Sequence, residues 1–164
     1  MVFWVPIIAW IAALVCAGLA VARAPSPRGV RLAADRLLRY INLFPVGLIG
    51  LWAALGHIAF PEESARAIGW AASPFQFEVG VANLGIGLAG IIAAIWSNWG
   101  FRAATAVMTT GFLGGAAIGH LVQIAETGNL AAGNAGPILY TDALTPLSLL
   151  VLLALTFRSA PARG

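Results

Sequence analysis

The chain contains no lysine, and its nine basic residues are all arginine. Without a lysine amine the protein cannot form a Schiff base with a carbonyl compound, so retinal pigments and related mechanisms are excluded. Charged residues of every type are scarce, at 9% of the sequence. The single cysteine, Cys16, lies within an apolar segment, and it therefore has no partner for a disulfide within the chain.

Apolar residues make up 60% of the 164 residues. Five apolar segments are long enough to cross a hydrocarbon layer of about 30 Å, because an α-helix rises about 1.5 Å per residue. The sequence therefore predicts an all-α integral membrane helical bundle, with residues 1–164 as a single transmembrane domain. The predicted transmembrane helices cover about residues 2–22, 37–60, 74–97, 102–125 and 137–157.

A short helix over about residues 61–70 is expected to lie at the membrane interface between the second and third transmembrane helices. Glu62 and Glu63 fall in its first turn, where acidic groups stabilise the positive end of a helix. Gly69 is a typical helix stop.

The arginines occupy short connections between apolar segments, where basic residues mark the cytoplasmic side of a membrane. In the predicted topology one arginine, Arg66, lies outside, and the other eight lie inside: Arg23, Arg28, Arg31, Arg36, Arg39, Arg102, Arg158 and Arg163. The N-terminus is therefore expected outside and the C-terminus inside, with the bacterial inner membrane as the location. The net charge of +3 follows from these topology signals, so nucleic-acid binding is not expected.

The predicted third transmembrane helix carries two polar residues that lipid does not tolerate. Ser73 is expected to cap its start, with Gln76 reaching back to the cap as in a capping box. Glu78 lies about one turn inside the helix and Asn83 lies deeper, and an unpaired polar group facing lipid costs several kcal/mol. Both side chains are therefore expected to face protein, water or a ligand.

Three more ionisable residues share the predicted depth of Glu78, roughly 4 to 9 Å below the outer boundary. They are His57, His120 and Asp142, each on a different helix. Imidazole and carboxylate groups bind divalent transition metals, so these four residues form a candidate metal site. The same groups can also share protons as acid and base, or hydrogen-bond the head of a lipid, sterol or quinone.

Polar residues near this level extend the candidate site. The predicted ligand-binding residues are Glu78, Asn83, Gln123 and Tyr140, and Thr141 lies beside them. No motif of a soluble enzyme is present, and the glycine-rich stretch at residues 85–90 lies inside a membrane helix, where it cannot bind a nucleotide.

Each ionisable residue also has a structural interpretation. His57 is near a helix end, where histidines often pack or reach the interface, and Glu78 is placed to stabilise the start of its own helix. Asp142 is close enough to Pro146 to support a kink there. For His120 a structural hydrogen bond and a ligand role both stay open.

Gly111, Gly115 and Gly119 are spaced four residues apart on the predicted fourth transmembrane helix. Small residues at this spacing form a helix face that lets a neighbouring backbone approach closely. We expect tight packing there, either within the chain or in a homo-oligomer or larger membrane complex.

Short motifs of the chain lie at residues 56–57, 68–70, 73–76, 78, 83, 101–102, 119–120 and 134–136. At these positions the chain resembles an uncharacterised bacterial family of small multi-pass proteins, broadly similar to DoxX-like membrane proteins. The resemblance covers roughly residues 40–155 and implies a helical membrane bundle. It implies no particular activity.

Three functions are consistent with these patterns. The leading hypothesis is a membrane protein with an outward-facing polar site that binds a metal ion or the head of an amphipathic ligand. The alternatives are an accessory subunit of a larger membrane complex, and an intramembrane lipid isomerase or cyclase that uses a carboxylic acid and a histidine. The sequence alone leaves open whether the protein is an enzyme.

Overall fold

The computed structural model describes residues 4–157, and this part of the chain consists of helices and their connections, with no strand. The predicted all-α class is therefore confirmed. In chain order the elements are α1 (Val5–Ala22), α2 (Val30–Ile41), a π-helical stretch (Asn42–Leu48), α3 (Ile49–Ala59), α4 (Pro61–Ile68), α5 (Phe75–Ile95), α6 (Trp99–Thr127), α7 (Ala132–Ala135) and α8 (Pro137–Thr156).

Five helical segments are long and apolar enough to cross a membrane, as predicted. They are Val5–Ala22, Val30–Ala59, Phe75–Ile95, Trp99–Thr127 and Ala132–Thr156. Residues 2 and 3 of the predicted first helix lie outside the described residues, as do Arg158 and Arg163.

The second span begins at Val30, several residues before the predicted start. Residues 30–36, which lie before the predicted start, are helical, because arginine, leucine and alanine are all good helix formers. Its apolar side chains share one face, and Ala34, Leu38 and Ile41 on that face are buried in the core. Burial of this face stabilises the early start of the helix.

Pro45 lies inside the π-helical stretch that joins α2 to α3. A proline has no N–H to donate, and its ring clashes with the carbonyl group four residues earlier in a regular α-helix. The wider π-helical turn relieves that clash. The irregularity at Pro45 therefore takes the form of a π-helical turn.

Glycines bring α3 and α5 into direct backbone contact. A Cβ atom added to Gly50 would lie 2.7 Å from Cα of Gly87. One added to Gly87 would lie 2.8 Å from the Leu51 nitrogen and 2.9 Å from the Gly47 oxygen. Side chains do not fit between these backbones, so glycine is required at the crossing.

The predicted glycine face of α6 behaves differently. A Cβ atom added to Gly111, Gly115 or Gly119 meets no atom within 4 Å. These glycines are therefore not used for helix packing among the described residues.

The ends of the helices meet at two opposite poles of the bundle. At the first, which we call the arginine end, α1, α5 and α8 finish and α2 and α6 begin. There Nη1 of Arg102 donates to Oδ1 of Asp35 at 2.8 Å, and Nη2 of Arg31 donates to the Thr156 oxygen at 2.7 Å. At the second, the α4–α7 end, the two short helices α4 and α7 pack against each other.

Two helix boundaries at these poles have clear local causes. The α6 helix begins at Trp99 because the side chain of Asn98 accepts a hydrogen bond from the Phe101 N–H at 2.9 Å. The α4 helix ends at Gly69, as predicted, with a left-handed φ of 80°. The short α7 helix forms within the connection over residues 128–136, where the sequence predicted only a loop.

Candidate functional site

The structure brings together two of the four predicted metal ligands, His120 of α6 and Asp142 of α8. Nε2 of His120 lies 3.7 Å from Oδ2 of Asp142. Each residue is only 6% exposed. The separation is longer than an ordinary hydrogen bond, so the two groups face each other without direct bonding. A third polar group that bridges them can hydrogen-bond to both.

Asn134 of α7 fixes the orientation of the His120 ring. Its Oδ1 atom lies 2.8 Å from Nδ1 of His120. Its Nδ2 atom donates to the Asn129 oxygen at 2.8 Å and lies 3.4 Å from the His120 oxygen. Since the amide nitrogen points to two carbonyl groups, the amide oxygen must accept from the ring, and Nδ1 carries the proton. The opposite ring nitrogen, Nε2, is thereby directed at Asp142.

The connection between α6 and α7 is held against the end of α4. Nδ2 of Asn129 donates to the Ile68 oxygen at 2.9 Å, and Oδ1 of Asn129 accepts from the Ala131 N–H at 3.1 Å. Gly69 lies so close that an added Cβ atom would be 2.6 Å from Oδ1 of Asn129. The hydrogen bonds to Asn129 therefore position α7, and with it Asn134.

Trp70 covers the imidazole from the α4 side. Its ring stacks on His120 with the ring centroids 6.4 Å apart and the planes inclined by 29°. Trp70 itself is 40% exposed, so its other face lies at the protein surface. We use the name His120 cluster for Trp70, His120, Asn129, Asn134 and Asp142.

Asp142 lies at an irregular point of α8. Pro146, four residues later, is inside the helix and has no N–H to donate to the Asp142 carbonyl group. Among residues 4–157, no side chain or N–H group makes a hydrogen bond to the Asp142 carboxyl group, and its ionic neighbour is His120. The carboxyl group is therefore buried without a direct hydrogen bond in the described part of the chain.

His57 forms a separate polar pair with Gln76. Nδ1 of His57 lies 2.5 Å from Oε1 of Gln76, and the imidazole N–H donates to the amide oxygen. The pair links α3 to α5, and Gln76 is only 3% exposed. The predicted capping box is wrong in this respect, because the Gln76 side chain bonds to a neighbouring helix instead of its own N-terminus. Oγ of Ser73 accepts from the Phe75 N–H at 3.3 Å.

The four predicted ligand-binding residues lie away from these contacts. Glu78 is exposed in the first turn of α5, and Tyr140 is 69% exposed. Asn83 is buried, but its Nδ2 atom donates to the Val79 oxygen of its own helix at 2.9 Å. Gln123 is partly buried. In the described residues, no side chain of these four hydrogen-bonds to the His120 cluster, although the Gln123 backbone oxygen accepts from the Asn129 N–H at 3.4 Å.

The predicted four-ligand metal site is not assembled in this structure. Among residues 4–157, no group of three or more histidine, cysteine, aspartate or glutamate side chains is placed to hold a metal ion. His57 pairs with Gln76, and Glu78 points away from the bundle, which leaves His120 and Asp142. Two protein ligands are fewer than the three or four that zinc sites use.

Three members of the His120 cluster, Trp70, Asn129 and Asn134, had no predicted role in the site. Trp70 and Asn134 fall within the short motifs of the family resemblance. Nothing in the sequence indicates that these two separate connections fold against the same histidine. The available signal was the amide of Asn134 between Gly133 and Ala135, in the connection between two predicted spans.

The five spans and the buried polar cluster define a multi-pass helical membrane protein. Residues 3–162 match the model of a family described as a family of unknown function, DUF6790, and the chain belongs to that family. No curated protein and no solved structure matches the chain. The broader likeness to DoxX-like proteins stays a prediction.

Proposed function

We propose that this protein binds the polar head of an amphipathic molecule between His120 and Asp142, in the outer half of a bacterial cytoplasmic membrane. In this proposal the arginine end faces the cytoplasm and the α4–α7 end faces outward. The observation that carries it is the 3.7 Å gap between two buried ionisable groups that point at each other without a hydrogen bond.

The energetic argument concerns the carboxyl group of Asp142. A buried polar group without a hydrogen-bond partner costs about 1–3 kcal/mol, and more if it is charged. A ligand group with two donors, such as a primary amide or an amine, would satisfy both atoms at once when placed between Nε2 and Oδ2. Because Oδ1 of Asn134 accepts from the Nδ1–H, the Nε2 atom of an uncharged ring is the acceptor for that ligand.

The surroundings of the pair suit a ligand with an apolar tail. On other faces of α6 and α8, the two helices that carry the pair, apolar side chains such as Leu121 and Leu144 are exposed. A tail that leaves the polar pair can lie in the bilayer beside these apolar helices. This arrangement, with a few polar groups beside a large apolar surface, is typical of sites for amphipathic ligands.

The test is to identify what purifies with the protein. We expect organic extraction of protein purified in mild detergent, followed by mass spectrometry, to recover about one amphipathic molecule per chain. Asp142→Asn and His120→Gln should lose most of it. Glu78→Gln is the matched control, since it removes an exposed carboxyl group at the same end of the bundle. Equal recovery from all variants, or none from the native protein, would contradict the proposal.

Association through the α6 glycines is a second candidate function, as a homo-oligomer or as an accessory subunit. It is supported by the open space beside Gly111, Gly115 and Gly119, which gives these small residues no packing role in the described chain. Gly115→Leu should then reduce the oligomer mass measured by light scattering. A native protein that is monomeric in lipid nanodiscs, with no stoichiometric partner, would contradict it.

A further inference from the structure

A polar cleft at the arginine end is separate from the His120 cluster. It is open, has a volume of about 320 Å³, and lies between the end of α1 and the outer face of α2. Its lining residues are Ala20, Arg23, Ala24, Pro25, Arg36 and Arg39. Three arginines thus line one cleft, and no acidic residue is among the described residues that line it.

The donors of this cleft are largely unused. Within the described chain, the guanidinium groups of Arg23 and Arg39 make no hydrogen bond or ion pair, and Arg39 lies 5.9 Å from the centroid of the Tyr40 ring. Arg36 is 3.6 Å from Oδ2 of Asp35, while the other oxygen of Asp35 is held by Arg102 at 2.8 Å. The cleft therefore keeps a positive charge and free N–H groups.

A neighbouring cleft of about 590 Å³ at the same end differs in how its arginines are bonded. It also contains two arginines, and both bond to the protein. Arg31 bonds to the Thr156 oxygen at 2.7 Å, and Arg102 bonds to Asp35 and to the Ala93 oxygen. Of these two clefts, the first is therefore the one with arginines, Arg23 and Arg39, whose guanidinium groups have no protein partner in the described chain.

We propose that the cleft formed by Arg23, Arg36 and Arg39 binds the phosphate-bearing headgroup of an anionic phospholipid. Guanidinium groups match phosphate oxygens with paired hydrogen bonds. The cleft begins at Ala20, within the last turn of a membrane-spanning helix, and so lies at the level where headgroups are found. Basic pockets beside spans on the cytoplasmic side recognise such headgroups.

Substitution of these arginines by lysine distinguishes a topology signal from a phosphate-binding site. The orientation of a membrane protein depends on positive charge, which lysine supplies as well as arginine. Paired hydrogen bonds to phosphate require the planar guanidinium group. Arg23→Lys and Arg39→Lys should therefore keep the orientation of the chain but weaken binding of the lipid.

The experiment measures lipid binding to the purified full-length protein by native mass spectrometry. The probes are phosphatidylglycerol, phosphatidylcholine with the same acyl chains, and inorganic phosphate as a competitor. We expect the native protein to prefer phosphatidylglycerol, and Arg23→Gln and Arg39→Gln each to weaken that binding about fivefold. Arg28→Gln is the matched control, because it removes one charge from the connection between α1 and α2 at a residue that does not line the cleft. The Arg28 side chain instead donates to the Ala24 oxygen at 3.0 Å.

Three results would overturn the proposal. Equal binding of the two lipids would exclude a headgroup site, and equal losses in Arg28→Gln and Arg23→Gln would show a general charge effect. Displacement of the lipid by equimolar inorganic phosphate would indicate a site for a soluble anion. The lysine variants keep the test valid if a glutamine variant fails to fold, since they retain the charge at each position.

Discussion

Oδ1 of Asn134 lies 2.8 Å from Nδ1 of His120, and this contact joins the short α7 helix to the middle of the candidate site. Asn134 is fully buried, at 0% exposure. Its amide nitrogen also holds the Asn129 oxygen at 2.8 Å. One side chain therefore sets the orientation of the imidazole and closes the connection between α6 and α8.

Asn134→Ala should destabilise the protein by about 1–3 kcal/mol, because it leaves the His120 N–H and the Asn129 carbonyl group unsatisfied. Asn134→Asp keeps an oxygen for the imidazole but loses the two donors, and it should also be destabilising. Ser73→Ala removes only an exposed hydrogen bond and is the control. Unfolding measured in detergent checks this, and equal stability of Asn134→Ala and Ser73→Ala would be inconsistent with the role given to Asn134.

The glycine crossing of α3 and α5 predicts a position-specific effect of adding one methyl group. Gly87→Ala places a Cβ atom 2.8 Å from the Leu51 nitrogen, so it should cost about 1–3 kcal/mol of stability. Gly115→Ala adds the same group where no atom lies within 4 Å, and the better helix propensity of alanine should leave stability unchanged or raised. If both variants lost the same stability, the described crossing would be wrong.

The arginine end contains one buried cation whose loss should be costly. Arg102 is 3% exposed and bonds to Asp35 at 2.8 Å and to the Ala93 oxygen at 2.9 Å. Arg102→Gln should destabilise the protein by about 1–3 kcal/mol, a range that allows for the partial exposure of Asp35. Arg36→Gln, which removes the longer contact to Asp35, should change stability by less than about 1 kcal/mol. Chemical unfolding of both variants compares them directly.

The proposed orientation is tested by labelling single cysteines in a Cys16→Ala background. A membrane-impermeant maleimide should label Glu62→Cys in intact cells, because α4 is at the outer end. It should label Ser26→Cys only after the membrane is permeabilised, because the arginines around it favour the cytoplasm. The reverse labelling pattern would place the arginine end outside.

The number of membrane-spanning helices and the all-α class were predictable, because the length of an apolar segment is a strong local signal. The start of the second span was missed, since its first residues are polar on one side only, and their helix is stabilised by burial of Ala34 and Leu38. In the sequence, the α5 glycines indicate only an ordinary membrane helix. Their role depends on Gly47 and Gly50 of another helix, and sequence periodicity does not show such pairings.

The sequence gives the depth of the candidate site residues along their helices, but it does not give the direction of their side chains. Depth along each helix placed His120 and Asp142 at one level, and the structure brings them together. Depth does not give the direction of a side chain around the helix axis, so Glu78 and Tyr140 at a similar level face outward. Asn134 comes from a connection, where neither depth nor periodicity applies.

The most direct measurement is an experimental density map of the protein in nanodiscs made from its native membrane. We predict non-protein density between Nε2 of His120 and Oδ2 of Asp142, within about 3 Å of both atoms, with an apolar tail that continues into the bilayer. A map in which the imidazole and the carboxyl group close to a direct hydrogen bond, with no density between them, would contradict the account.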